Sequence, residues 1–146
     1  MICAHIQDSA LLLSYLSTQT ITDLLAAFNQ CITTRSDPEF ADILLHFLLS
    51  VSPHLYISEL LTSHGLVQQF LSPAFVAIVK SLSYYTDTNE RDPWHKVWCQ
   101  VLTLLTSILR VMKSSLKVVD SVLEFVEMYR TRILFSLDLN NPTFSP

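Results

Sequence analysis

A single glycine, Gly65, occurs in 146 residues, and that scarcity decides what this chain is able to fold into. Tight β-hairpins draw on Gly or Asn-Gly pairs for backbone angles that other residues avoid, and no such turn separates the apolar runs here. The commonest phosphate-binding loops are excluded on the same ground. A Walker A loop, a dinucleotide fingerprint and a kinase glycine loop each need several glycines so that backbone approaches phosphate closely. The nucleophile elbow of α/β-hydrolases fails for the same reason. An all-α chain is what remains.

Helical spacing of the apolar residues agrees with this. Trp94, Val97, Trp98, Val101, Leu105, Ile108 and Met112 fall on one face, and Leu102, Leu104 and Leu109 widen it until the helix reads as buried on more than one side. Prolines punctuate the rest. Asp37-Pro38, Ser52-Pro53, Ser72-Pro73 and Asp92-Pro93 each pair a capping side chain with a residue that has no N–H to lose at the first helical position. Ser36 with Glu39, and Thr20 with Asp23, have the spacing of a capping box. The pattern predicts seven helices, at about 8–18, 21–34, 38–51, 53–64, 73–85, 93–113 and 116–136, with Gly65 ending the fourth and a short turn over 66–71. Residues 1–138 form one helical-repeat segment in this reading, and 139–146, with Asn140-Asn141-Pro142, form an irregular tail. Short connections predict antiparallel helical pairs. Pro53 and Pro93 lie 40 residues apart, near the period of two-helix HEAT/ARM-like repeats, so an α-solenoid segment is expected, with a closed helical bundle as the alternative.

Half of the residues are hydrophobic and 15% are charged, against about 25% in an ordinary globular domain. Helices must be buried on two sides, or be covered by a larger protein. The net charge of −4 is unevenly spread: residues 1–90 set Arg35 and Lys80 against eight acids, whereas residues 91–146 have seven bases and five acids. Neither half carries the dense basic patch that binding to nucleic acid requires. Three widely spaced cysteines in apolar surroundings, Cys3, Cys31 and Cys99, read as buried thiols of a reducing compartment. The segment Met1–Asp8 lacks a positive region followed by an apolar stretch, so no secretory signal is expected. Between Glu59 and Lys80 no charged residue occurs, but His64-Gly65, Gln68-Gln69 and Ser72-Pro73 break that stretch and argue against a membrane span.

Candidate chemistry is sparse. His95 and Cys99, at i and i+4, share a helix face and offer two metal ligands or a thiol–imidazole pair. A zinc site needs two more ligands, which no neighbouring motif supplies, and Cys99 reads more simply as a small core residue. His46, His54 and His64 lie at different helical phases and read as isolated imidazoles. Asp37, Glu39 and Asp42 cluster at a helix start, where negative charge complements the helix dipole, while Asp120, Glu124 and Glu127 read as a solvated face, with Glu127 within reach of Arg130. No catalytic, cofactor or metal residue is assigned. Aromatic residues speak more of contact: Trp94 and Trp98 are one turn apart, Trp98 reads as core, and Tyr84-Tyr85 precede the polar loop 86–92.

The segment Arg91–Arg110, RDPWHKVWCQVLTLLTSILR, resembles the large inner-ring scaffold nucleoporins of the nuclear pore complex, and Ser52–Leu61 is similar to the same family. Those proteins are long α-helical solenoids, so the resemblance implies a C-terminal piece of one. It also implies a structural, non-enzymatic role at the nuclear envelope, in nucleocytoplasmic transport of protein and mRNA. The partners implied are other nucleoporins, including linker nucleoporins, with transport factors and adjoining repeats of the same chain. No individual binding residue is carried over.

Overall fold

The computed structural model describes residues 18–82 and 92–134, and the chain there is all-α, with no strand among the described residues. Its helices are α1 (Thr18–Thr34), α2 (Pro38–Val51), α3 (Leu55–Ser63), α4 (Leu66–Phe70), α5 (Pro73–Ser81), α6 (Pro93–Val111) and α7 (Leu116–Met128), with one further helical turn over 130–134. The expected helix over 8–18 and the tail 139–146 lie outside the described residues.

Two of the start signals, Asp92 and Ser72, act as capping chemistry predicts, and Ser115, which the sequence pattern does not single out, caps α7 in the same way. Asp92 accepts a hydrogen bond from the Trp94 N–H at 3.0 Å, and Ser72 and Ser115 accept from Phe75 and Val118, each at 3.4 Å. Other expectations need correction. Asp37 precedes Pro38 but adopts left-handed backbone angles, φ 53° and ψ 55°, and its side chain makes no cap bond. Ser52 does not open a helix: it continues the right-handed backbone of α2, and α3 begins two residues after Pro53, at Leu55. Thr20 lies inside α1 rather than capping it.

The exit from α1 is unusual. The Ser36 N–H donates to the Cys31 carbonyl at 3.0 Å, closing a Schellman turn in which Arg35 holds the left-handed position, φ 51°, that glycine normally fills. Ser81, at the end of α5, accepts from the Arg35 guanidinium and fastens that residue in place. Gly65 does take φ 89°, between α3 and α4. The expected turn over 66–71 is instead a short helix, because Leu66, Val67 and Phe70 point together into the core. Past Tyr129 the long last helix is interrupted; the phenol there donates to the Phe70 carbonyl at 2.6 Å, and Arg132 donates to the Leu82 carbonyl at 2.6 Å.

An aromatic cluster ties five helices together. Phe28 (α1), Phe70 (α4), Phe75 (α5), Trp98 (α6), Phe125 (α7) and Tyr129 are all buried. Trp98 stacks on Phe125 at 5.8 Å between centroids, Phe125 lies 4.7 Å from Tyr129, and Phe28 meets Phe70 edge-on at 5.6 Å.

The most extensive helix–helix contact joins α2 to α6, which are not neighbours in sequence. Asp42 shares a groove with His95 and Cys99, Leu49 lies with Leu102 and Thr106, and the hydroxyls of Ser52 and Ser107 meet at 2.6 Å. Positions rise together along both helices, so the two run parallel, unlike the antiparallel pairing that short connections predict for consecutive helices.

Candidate functional site

The seam between α2 and α6 opens at its N-terminal end into a groove of about 380 Å³. Asp92 and Pro93 start α6 there, and one and two turns later His95, Lys96 and Cys99 project into the same space, with Asp42 of α2 opposite. The Cys99 sulfur lies 3.8 Å from Nδ1 of His95, so the i, i+4 pairing read from the sequence is made. Cys99 is exposed, which corrects its reading as a core residue. It lies on the face that carries Lys96, Thr103, Thr106 and Arg110, all exposed.

Oδ1 of Asp42 is buried in the wall of this groove and has no hydrogen-bond partner among the described residues. Unpaired buried oxygens are uncommon because each forfeits solvation without recovering it. Cys31 behaves differently from Cys99. It is buried against the core, and burial, with the Asp37 carboxylate nearby, pushes its thiol above the ordinary value and keeps it protonated.

The remaining candidates are dispersed. His46 is exposed on α2, His54 sits before α3, and Nδ1 of His64 meets the Leu60 carbonyl at 2.8 Å, finishing that helix. Trp94 and Trp98 are both buried, Trp98 to 1% exposure, so neither is presented to a partner. Tyr84 and Tyr85 lie outside the described residues. Asp120, Glu124 and Glu127 are exposed on α7, as expected. Among the described residues no three His, Cys, Asp or Glu side chains are grouped to hold a metal ion, and no helix is long and apolar enough to cross a membrane.

A second feature had little signal in the sequence. Helix α7 buries Val118, Val122 and Phe125 on one face, yet along one flank of its exposed side, next to Asp120 and Glu127, it carries Leu116 (78% exposed), Leu123 (58%) and Val126, and Leu134 is exposed beyond it. Searches with family models, against curated proteins and against solved structures found no match to this chain.

Proposed function

We propose that this chain is an architectural segment of a helical-repeat scaffold, working through protein–protein contact rather than catalysis, and that its place is the inner ring of the nuclear pore complex. The observation that carries the architectural part is α7, which packs Val118, Val122 and Phe125 inward and leaves Leu116, Leu123 and Val126 uncovered on its exposed side. In a helical array each repeat contacts its neighbours, so the face turned from one neighbour meets the next. Parallel stacking of α2 on α6 fits the same design, in which equivalent helices of successive repeats run in one direction.

The pore itself is proposed from the resemblance of Arg91–Arg110 to inner-ring scaffold nucleoporins. In this reading the exposed side of α7 is covered by an adjoining repeat of the parent chain, and other surfaces receive linker nucleoporins or transport factors. Nucleic acid and the membrane are not partners in it. Cross-linking mass spectrometry of the full-length parent in cells tests the proposal. Links from Lys113 and Lys117 to later segments of the same chain, with others to inner-ring components, are the expected result. Links confined to a trafficking or other cytoplasmic assembly would remove the pore from the proposal and leave a general adaptor.

A further inference from the structure

We propose that Cys99 is a site of reversible S-thiolation, taking a small zwitterionic aminothiol disulfide into the groove between α2 and α6. Three features of one place support this. The thiol is exposed, an imidazole nitrogen lies 3.8 Å from its sulfur, and the facing helix contributes a carboxylate whose buried oxygen lacks a donor among the described residues. Attack on a disulfide needs the thiolate, and an adjacent imidazole is a standard means of producing it. The ligand class follows from charge. Asp42 lines the groove with a carboxylate, which an ammonium complements, and Lys96 in the same groove pairs with a carboxylate. Reagents bearing both charges on a disulfide satisfy both groups, whereas a purely anionic one meets Asp42 and Asp92 unfavourably.

The step balances without any other oxidant. The Cys99 thiol gives its proton to Nδ1 of His95, and the thiolate sulfur attacks one sulfur of the disulfide. A new S–S bond forms at Cys99 as the reagent's S–S bond breaks, and the departing sulfur takes the proton and leaves as a thiol. Cys99 sulfur is oxidised and the departing sulfur reduced; a second thiol reverses the exchange. Cys31, buried and held protonated, is the internal control.

Oxidised glutathione is the probe, added to the full chain, with the modified residue located by peptide mass mapping and helicity followed by circular dichroism. The expected result is one glutathionyl group on the peptide carrying Cys99, added at least about tenfold faster than at Cys31, with that rate falling roughly tenfold or more in His95→Gln. Asp42→Asn slows both oxidised glutathione and cystamine, which has ammonium groups and no carboxylate. Lys96→Ala slows oxidised glutathione alone. Equal rates in the parent chain, His95→Gln and Asp42→Asn, with helicity intact, would show an ordinary surface thiol and overturn the proposal. Preferential labelling of Cys31 would overturn it too. Should His95→Gln unfold, the Asp42→Asn and Lys96→Ala comparison decides by itself.

Discussion

Replacing Trp98 by alanine removes the ring that joins α6 to α7. The indole is 1% exposed, and its centroid lies 5.8 Å from Phe125, 5.3 Å from Tyr129 and 6.5 Å from Phe75. Deleting a buried Trp side chain costs about 3–5 kcal/mol when the surroundings collapse only partly. Three aromatic neighbours lose a partner together, and each such pair adds about 0.5–1.5 kcal/mol beyond its buried area, which places the expected loss in the upper part of that range. A domain of this size shifts in melting temperature by roughly 3–4 °C per kcal/mol, so Trp98→Ala should melt about 15 °C lower or fail to accumulate in soluble form. Thermal unfolding followed by circular dichroism measures this, with Trp98→Phe, which keeps the stack on Phe125, expected to lose less than half as much. A Trp98→Ala protein with full helicity and a melting temperature within a few degrees of the parent would refute the assignment of this ring to the core. If that protein had also lost a binding partner, Trp98 would belong to a recognition surface.

Other outcomes follow from single groups. Burial pushes the Tyr129 phenol well above its ordinary value of 10.0, so its contribution to stability is complete below about pH 10 and is lost as the pH rises towards the folded value. Alkaline denaturation should accordingly begin near pH 10, and Tyr129→Phe should flatten that pH dependence while costing about 1–2 kcal/mol at neutral pH through the orphaned Phe70 carbonyl. Gly65→Ala should cost about 1–2 kcal/mol by urea titration, all of it backbone strain at φ 89°, because an added Cβ meets nothing nearer than Oε1 of Gln68 at 3.8 Å. Leu123→Lys should leave stability within about 0.5 kcal/mol and reduce self-association of the isolated chain in sedimentation experiments, since this side chain is 58% exposed on the outer side of α7. Unaltered association would mean that this side of the helix is not the sticky one.

Much of the helical framework is legible in the sequence because proline and its capping partner act locally. Pro38, Pro73 and Pro93 each open a helix as read. Ser52-Pro53 carries the same local signal and misleads, since the fate of Ser52 is decided by groups far away. Its hydroxyl meets Ser107, and its carbonyl accepts from the Ser58 hydroxyl at 2.6 Å. Five residues, Leu66–Phe70, are too few to display a period, so α4 shows only once its apolar side chains have a core to enter. Cys99 was recoverable. Lys96, Cys99, Thr103, Thr106 and Arg110 recur at alternating steps of three and four residues and define the polar face of α6, a pattern masked by the apolar residues between them. The unpaired oxygen of Asp42 was not recoverable, because it depends on the parallel seating of α2 against α6 across 41 intervening residues.

The aromatic cluster also governs when this chain becomes a folded object during its synthesis. Phe28 reaches the ribosome exit long before Phe125 and Tyr129, which close the cluster from the last helix. Translation at about 5–20 residues per second separates the two ends by roughly 5–20 s. Until α6 emerges the rings of α1, α4 and α5 have no indole to pack against, and until the interval closes they have no phenol; long-range closure is the slow part of such folding. The nascent chain is thus most exposed to aggregation just before α7 emerges, and a ribosome stalled upstream of Phe125 holds a chain whose core is still open. Chaperone occupancy on the nascent polypeptide should peak in that window and fall once Tyr129 has cleared the exit tunnel.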